Sequence, residues 1–115
     1  MVKRKESYTA ERVERMRDGD GAVIIERLLT PEELYEKGRL YATLTLEPGS
    51  SIGYHIHEGE MESFYVVCGK AEYIDGDKTV TLMPGDTTLT RSGEGHSVKS
   101  IGDTALVVVA QILYN

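Results

Sequence analysis

From Leu40 onward the chain alternates. Leu40, Ala42, Leu44 and Leu46 are set against Tyr41, Thr43 and Thr45, the period-two pattern of a strand with one face buried. Comparable short runs predict strands at 22–29, 52–57, 62–68, 70–75, 78–83, 87–91, 96–100 and 104–113. Turn-forming clusters separate them: EPGS, HEGE, DGDK, MPGD, SGEG and IGD. Asp75-Gly76 is a strong hairpin signal, because glycine accepts positive φ and the aspartate side chain supports the turn locally. Many short strands with regular turns and no long helix predict an all-β protein, a small antiparallel sandwich or barrel.

Two stretches depart from that rhythm. Residues 1–21 read as an N-terminal arm ahead of a single domain at 22–115; within the arm, YTAERVERMR (8–17) suits a short charged helix or a loose segment, ended by DGDG. TPEELYEKG (30–38) carries a helix signature of one or two turns: Thr30 as N-cap, Pro31 at the first helical position, Glu33 completing a capping box and Gly38 as stop. The last strand, ALVVVAQIL, is nearly continuous apolar sequence and is expected to be covered on both faces, by the domain's own layers or by a second subunit. Gln111 interrupts it and reads as a satisfied buried amide or an edge position more readily than as a pocket group.

Composition narrows the function classes. The 115 residues suffice for one core, and 13 Lys plus Arg against 19 Asp plus Glu give a net charge of −6. That balance argues against nucleic acid, whose binding rests on cationic contacts to phosphate. No apolar run approaches the ~20 residues of a membrane span, and the basic start is followed by charges where a secretory signal needs an apolar centre. Cys68 is the single cysteine, so no internal disulfide forms; a cytoplasmic protein is expected, with Cys68 as a small buried hydrophobe.

The candidate chemistry lies in GSSIGYHIHEGEMESFYVVCG (49–69). Strand residues two apart share a face, so His55 and His57 can converge on one ion. Glu62 comes after a turn that can bring the next strand to the same interior, and His96 begins a later strand. Glu58 and Glu60 compete with Glu62 on spacing alone. Three neutral imidazoles and one carboxylate would leave a divalent ion with a charge of about +1 and, if octahedral, two open positions. Such a centre suits small anionic or carbonyl-containing ligands, whereas structural ions sit in closed tetrahedral shells.

These residues resemble the cupin family. Its first motif, G-X5-H-X-H-X(3,4)-E-X6-G, is met at every fixed position by Gly49, His55, His57, Glu62 and Gly69. Its second, G-X5-P-X-G-X2-H-X3-N, is met by Gly85, Gly93 and His96, while Arg91 replaces the proline and Ser100 the asparagine. The resemblance, over about residues 40–110, implies a small antiparallel jelly-roll barrel, here with a short N-terminal helical segment. It implies His55, His57, Glu62 and His96 as ligands of a divalent transition metal (Mn, Fe, Co, Ni, Cu or Zn), and turn-shaping roles for the glycines. The function it implies is a metal-binding small-molecule protein, an oxygenase, isomerase or lyase in enzymatic form. The alternative is a non-catalytic sugar or metabolite binding module. Tyr54, Tyr65 and Arg91 are candidate pocket residues, each more readily structural. A homodimer is expected, with strands 22–29 and 104–113 as material for sheet extension.

Overall fold

The alternation in the sequence becomes ten strands. The computed structural model, which describes residues 1–115, contains β1 (Ala10–Glu14), β2 (Ala22–Leu29), β3 (Gly38–Leu46), β4 (Ser51–Ile56), β5 (Glu60–Cys68), β6 (Ala71–Asp75), β7 (Lys78–Leu82), β8 (Thr87–Thr90), β9 (Gly95–Ser100) and β10 (Leu106–Tyr114). They form a six-stranded sheet in the order β1-β2-β3-β10-β5-β8 and a four-stranded sheet in the order β4-β9-β6-β7. Every pairing is antiparallel. The architecture is the expected jelly-roll.

Period two decides what is buried. On β3, Leu40, Ala42, Leu44 and Leu46 point inward, and on β10 Leu106, Val108, Ala110 and Ile112 do the same. Ile52, Tyr73, Leu82 and Val98 of the other sheet join them in one core. The four glycines shared with the cupin motifs, Gly49, Gly69, Gly85 and Gly93, all take positive φ, between 88° and 96°. They shape turns, as expected.

Several local readings change. Residues 10–14 are not helical: β1 pairs with β2 from Ala10↔Glu26 to Glu14↔Ala22. The helical content of the N-terminal stretch is limited to 3-10 turns at Lys5–Ser7 and Met16–Asp18. At 30–38 the capping box does form, with the Thr30 amide donating to Glu33 Oε1 at 2.9 Å and the Glu33 amide to Thr30 Oγ1 at 3.2 Å. The helix does not. Tyr35 and Glu36 enter the left-handed region at φ 54° and 57°, leaving hydrogen-bonded turns before β3.

Cys68 is exposed rather than buried. Val66 pairs with Val108 and Cys68 with Val107, so β5 carries an extra residue at Val67. That bulge reverses the facing of the residues beyond it. β2 and β10 are interior strands with a neighbour on each side, so neither has a free edge for sheet extension. Gln111 accordingly occupies a central strand, between Tyr41 and Ser63, on the half-buried outer face of the sheet.

Candidate metal centre

His55 on β4 and His57 just beyond it reach the interior because β4 is irregular. Ile52 faces Val98 and is buried in the core, so strict alternation would turn His55 outward. However, His55 faces His96: three steps along β4 match two along β9. The extra residue falls at Gly53–Tyr54 and brings the imidazoles to the same side as Ile52. His57 lies just past the end of β4, its amide donating to the Glu94 carbonyl at 3.0 Å. Glu62 shares the inward face of β5 with Phe64 and Val66, and His96 shares that of β9 with Val98. His57, Glu62 and His96 are 2%, 5% and 1% exposed.

The structure therefore brings together the four residues singled out from the sequence. The three Nε2 atoms form a near-equilateral triangle with sides of 3.1, 3.1 and 3.2 Å. Glu62 Oε1 lies 3.1 Å from His57 Nε2 and 3.0 Å from His96 Nε2. All four donor atoms fall within 4.8 Å of one another. With metal–nitrogen bonds of ~2.1 Å, adjacent donors of an octahedron are ~3.0 Å apart and those of a tetrahedron ~3.4 Å. The observed edges fit the octahedral spacing. This donor set could hold a divalent ion and leave coordination positions open.

Neighbours on the far side of each ring prepare the lone pairs. His55 Nδ1 lies 2.8 Å from the Gly53 carbonyl, which only accepts, so Nδ1 carries the proton and Nε2 is free to ligate. His57 Nδ1 lies 3.6 Å from Glu60 Oε1, an anionic acceptor. His96 Nδ1 contacts Tyr73 Oη at 2.6 Å and Thr90 Oγ1 at 3.0 Å. Three inward lone pairs would repel one another without a cation. Outer partners of this kind fix tautomer and ring orientation, and their loss typically lowers metal affinity ~10–100-fold. Tyr73→Phe is expected to lie at the ~10-fold end, because Thr90 still accepts from His96; a metal titration of the variant checks this.

The same groups set the protonation balance. Burial raises the Glu62 carboxyl most strongly, but hydrogen bonds from His57 and His96 and their charges outweigh it and hold the group at about 2. His57 is raised, first by its hydrogen bond to Glu62, while burial lowers His55. In the metal-free protein Glu62 thus favours the protonated form of His57. Protons compete with metal below the raised His57 pKa, and Glu62 stays ionised throughout that range. Metal retention is therefore expected to fall as pH drops from about 8 to about 5, measured as metal content after dialysis.

Three of the four, His55, His57 and Glu62, line a cavity of about 100 Å³. Arg17, Arg27 and Arg39 reach its rim, and Ile25, Leu40 and Ile52 contribute apolar lining. Sequence reasoning missed the arginines. Arg27 shares the parity of the inward Val23 and Ile25, a legible signal. Arg39 was not legible: Gly38 pairs with Leu113 and Leu40 with Ile112, leaving Arg39 as the extra residue of a bulge that re-aims its side chain. Its guanidinium bonds Glu60 through Nε at 2.8 Å and Nη2 at 3.0 Å. Glu60 is thereby a bridge between Arg39 and His57, while Glu58 is solvent-exposed. Tyr54, Tyr65 and Arg91 do not line the cavity; the two tyrosines are each 50% exposed.

Comparison with known proteins shows the family and agrees with the fold. The profile of a family described as Cupin domain matches residues 42–112. The chain is 42% identical over 113 residues to a Thermotoga maritima protein named oxalate-binding protein, covering 98% of this chain and 93% of that one. It superposes on the crystal structure of a predicted oxalate decarboxylase from Thermotoga maritima with a TM-score of 0.96, 42% identity and full coverage of both chains. KdgF from Halomonas sp. (TM-score 0.79, 16% identity, 100% of this chain and 94% of that one) shares the fold. So does the cupin domain of Schizosaccharomyces pombe Cnp3 (0.78, 14%, 100% and 74%).

Proposed function

This chain belongs to the cupin family, and we propose that it is a metal-dependent binding protein for a small dicarboxylate of the oxalate type. His55, His57, Glu62 and His96 hold a divalent transition metal ion, one of Mn, Fe, Co, Ni, Cu or Zn. Such an ion supplies two open positions to chelating carboxylate oxygens. The observation that carries the reading is the make-up of the cavity. Its volume, about 100 Å³, is well under the ~300 Å³ where pockets for larger ligands begin. That size favours a two- or three-carbon acid over a sugar. The relative of 42% identity named for oxalate binding supports the same ligand class.

Binding is favoured over turnover by what the walls lack. Apart from His55, His57 and Glu62, the ionisable side chains lining the cavity are Arg17, Arg27 and Arg39, and a guanidinium is a poor proton shuttle. Lyase or isomerase chemistry needs a group that delivers or removes a proton at the substrate, and none is free here. The neighbour described as a predicted oxalate decarboxylase makes turnover the reading to test against. In calorimetry, the metal-loaded protein is expected to take up one oxalate per chain, with none bound by His57→Ala and no formate released. Formate production would replace the binding reading with an enzymatic one; no uptake would end both.

The assembly proposed is a homodimer formed through the outer face of the six-stranded sheet. Tyr65, Val67 and Leu89 are 50%, 48% and 41% exposed there, beside half-buried Val107 and Val109. Light scattering is expected to give twice the 12.8 kDa chain mass, and Val109→Glu to give the single mass by burying a charge in that face. The net charge of −6 argues against a nucleic-acid partner, no helix is long and apolar enough to cross a membrane, and the free Cys68 thiol suits a cytoplasmic setting.

A further inference from the structure

The three arginines at the cavity rim are not equivalent. Arg39 is held by both Glu60 oxygens, and Arg27 donates through Nη1 to Glu11 Oε2 at 2.5 Å. Arg17 has no ion pair or side-chain hydrogen bond and reaches the same cavity.

The backbone of Arg17, whose side chain is exposed, is fixed. It adopts φ 54° and ψ 38° inside the Met16–Asp18 turn, flanked by Arg15 at φ 49° and Asp18 at φ 62°. Three left-handed non-glycine residues within four positions are unfavourable, and such strain persists only where the surroundings impose it. The surroundings do so by seating the turn on β4. The Ser51 amide donates to the Asp20 carbonyl at 2.8 Å, and the Asp20 amide donates to Ser51 Oγ at 2.8 Å. A Cβ on Gly53 would lie 1.9 Å from the Arg17 carbonyl oxygen, so the turn sits directly on the bulge that aims the histidines. Met16 packs against the core and pins the near side of the turn.

Charge arithmetic then defines the ligand. The proposed divalent ion and Glu62 leave about +1 at the donor cluster. The Arg27–Glu11 and Arg39–Glu60 pairs are neutral, and Arg17 adds one unpaired positive charge. In a chain whose net charge is −6, the cavity thus concentrates about +2, which a dianion would neutralise and a monoanion would not. A guanidinium binds a carboxylate through a planar fork, and Arg27, whose fork is only partly engaged by Glu11, can contribute a second.

From this arrangement we infer that Arg17 and Arg27 form a carboxylate grip in the cavity that His55, His57 and Glu62 also line, selecting small dicarboxylates over monocarboxylates. The grip rests on the proposed metal-dependent binding. One end of the ligand meets the cation and the other meets Arg17, with Arg27 alongside. The discrimination comes from the second carboxylate, since a monoanion such as acetate leaves Arg17 unused.

The test compares metal-loaded wild type, Arg17→Gln and Arg27→Gln by calorimetric titration with oxalate and with acetate, alongside metal analysis of each. Arg17→Gln is expected to keep its metal and lose at least 10-fold in oxalate affinity, with acetate affinity nearly unchanged, so the preference for the dianion collapses. Arg27→Gln is expected to show a smaller loss of the same kind. Wild-type oxalate binding that both variants leave intact would overturn the grip alone. Equal losses for oxalate and acetate would also overturn it, because they would mark a structural role. Loss of metal from either variant would overturn it on the same ground. No oxalate binding by metal-loaded wild type would overturn the functional reading and the grip together.

Discussion

Glu62→Gln is expected to lower divalent-metal affinity by at least ~100-fold while leaving the protein folded. Removing partners outside a metal's direct ligands typically costs ~10–100-fold, and this substitution removes a direct donor and its charge. Glu62 is the one carboxylate whose oxygen lies within 3.1 Å of two imidazole Nε2 atoms. Glutamine has the same shape, so the pairings of Glu62 with Ile112 and Thr90 across the sheet are retained. The change also removes the first cause of the raised His57 pKa, so His57 in the metal-free variant should release its proton at lower pH than in wild type. Competition titration with a chromophoric chelator measures the affinity; proton NMR of the His57 ring tracks the pH shift. Wild-type affinity in Glu62→Gln would remove this carboxylate from the coordination set.

Phe64→Ala is expected to cost about 3–5 kcal/mol of stability, the range for deleting a buried aromatic ring and leaving its cavity. Phe64 is 1% exposed at the centre of the core, on a strand hydrogen-bonded to β10 on one side and β8 on the other. Its ring stacks on His96 with centroids 5.3 Å apart and an interplanar angle of 24°, and meets Tyr73 edge-on at 6.3 Å. The substitution therefore loosens the packing that orients His96 as well as the core. Urea denaturation of the metal-free protein isolates the packing loss, and a metal titration of the folded variant reads the loosened imidazole. A shift below about 1 kcal/mol would mean that the site collapses around the missing ring.

What the sequence made legible was the strand content and the group of four. Alternation is a direct physical record of which face meets the core, and it located the inward face of β3 residue by residue, whereas β10 read only as a continuous apolar run. Where alternation failed, a bulge was responsible. One extra residue turns over every side chain beyond it; Gly53, an isolated glycine inside a strand, is a mark of such a step, whereas Val67 carries none. His55 and His57 were nevertheless grouped correctly, because both lie on the same side of the β4 bulge and keep their relative facing. Cys68 was misread because the bulge at Val67 lies between it and Glu62. Arg39 was missed because it is itself the extra residue.

The choice among Glu58, Glu60 and Glu62 needed three dimensions. Glu60 and Glu62 are two residues apart on β5, but the first ends against Arg39 at the rim and the second among the imidazoles. The N-terminal residues were illegible for a different reason. YTAERVERMR has no face periodic enough to reveal that residues 10–14 would be held by pairing with β2, a contact set by tertiary structure rather than by local propensity. The 30–38 segment shows the converse: its cap formed as read, yet left-handed Tyr35 and Glu36 diverted the chain into β3 before a helix could propagate.

The most direct measurement is the metal content of the full chain, purified without a histidine tag, after loading and dialysis at about pH 8. Elemental mass spectrometry is predicted to find one divalent transition metal ion per chain, lost on His57→Ala. Wild-type protein that retains no metal, or that retains as much as His57→Ala, would contradict the account.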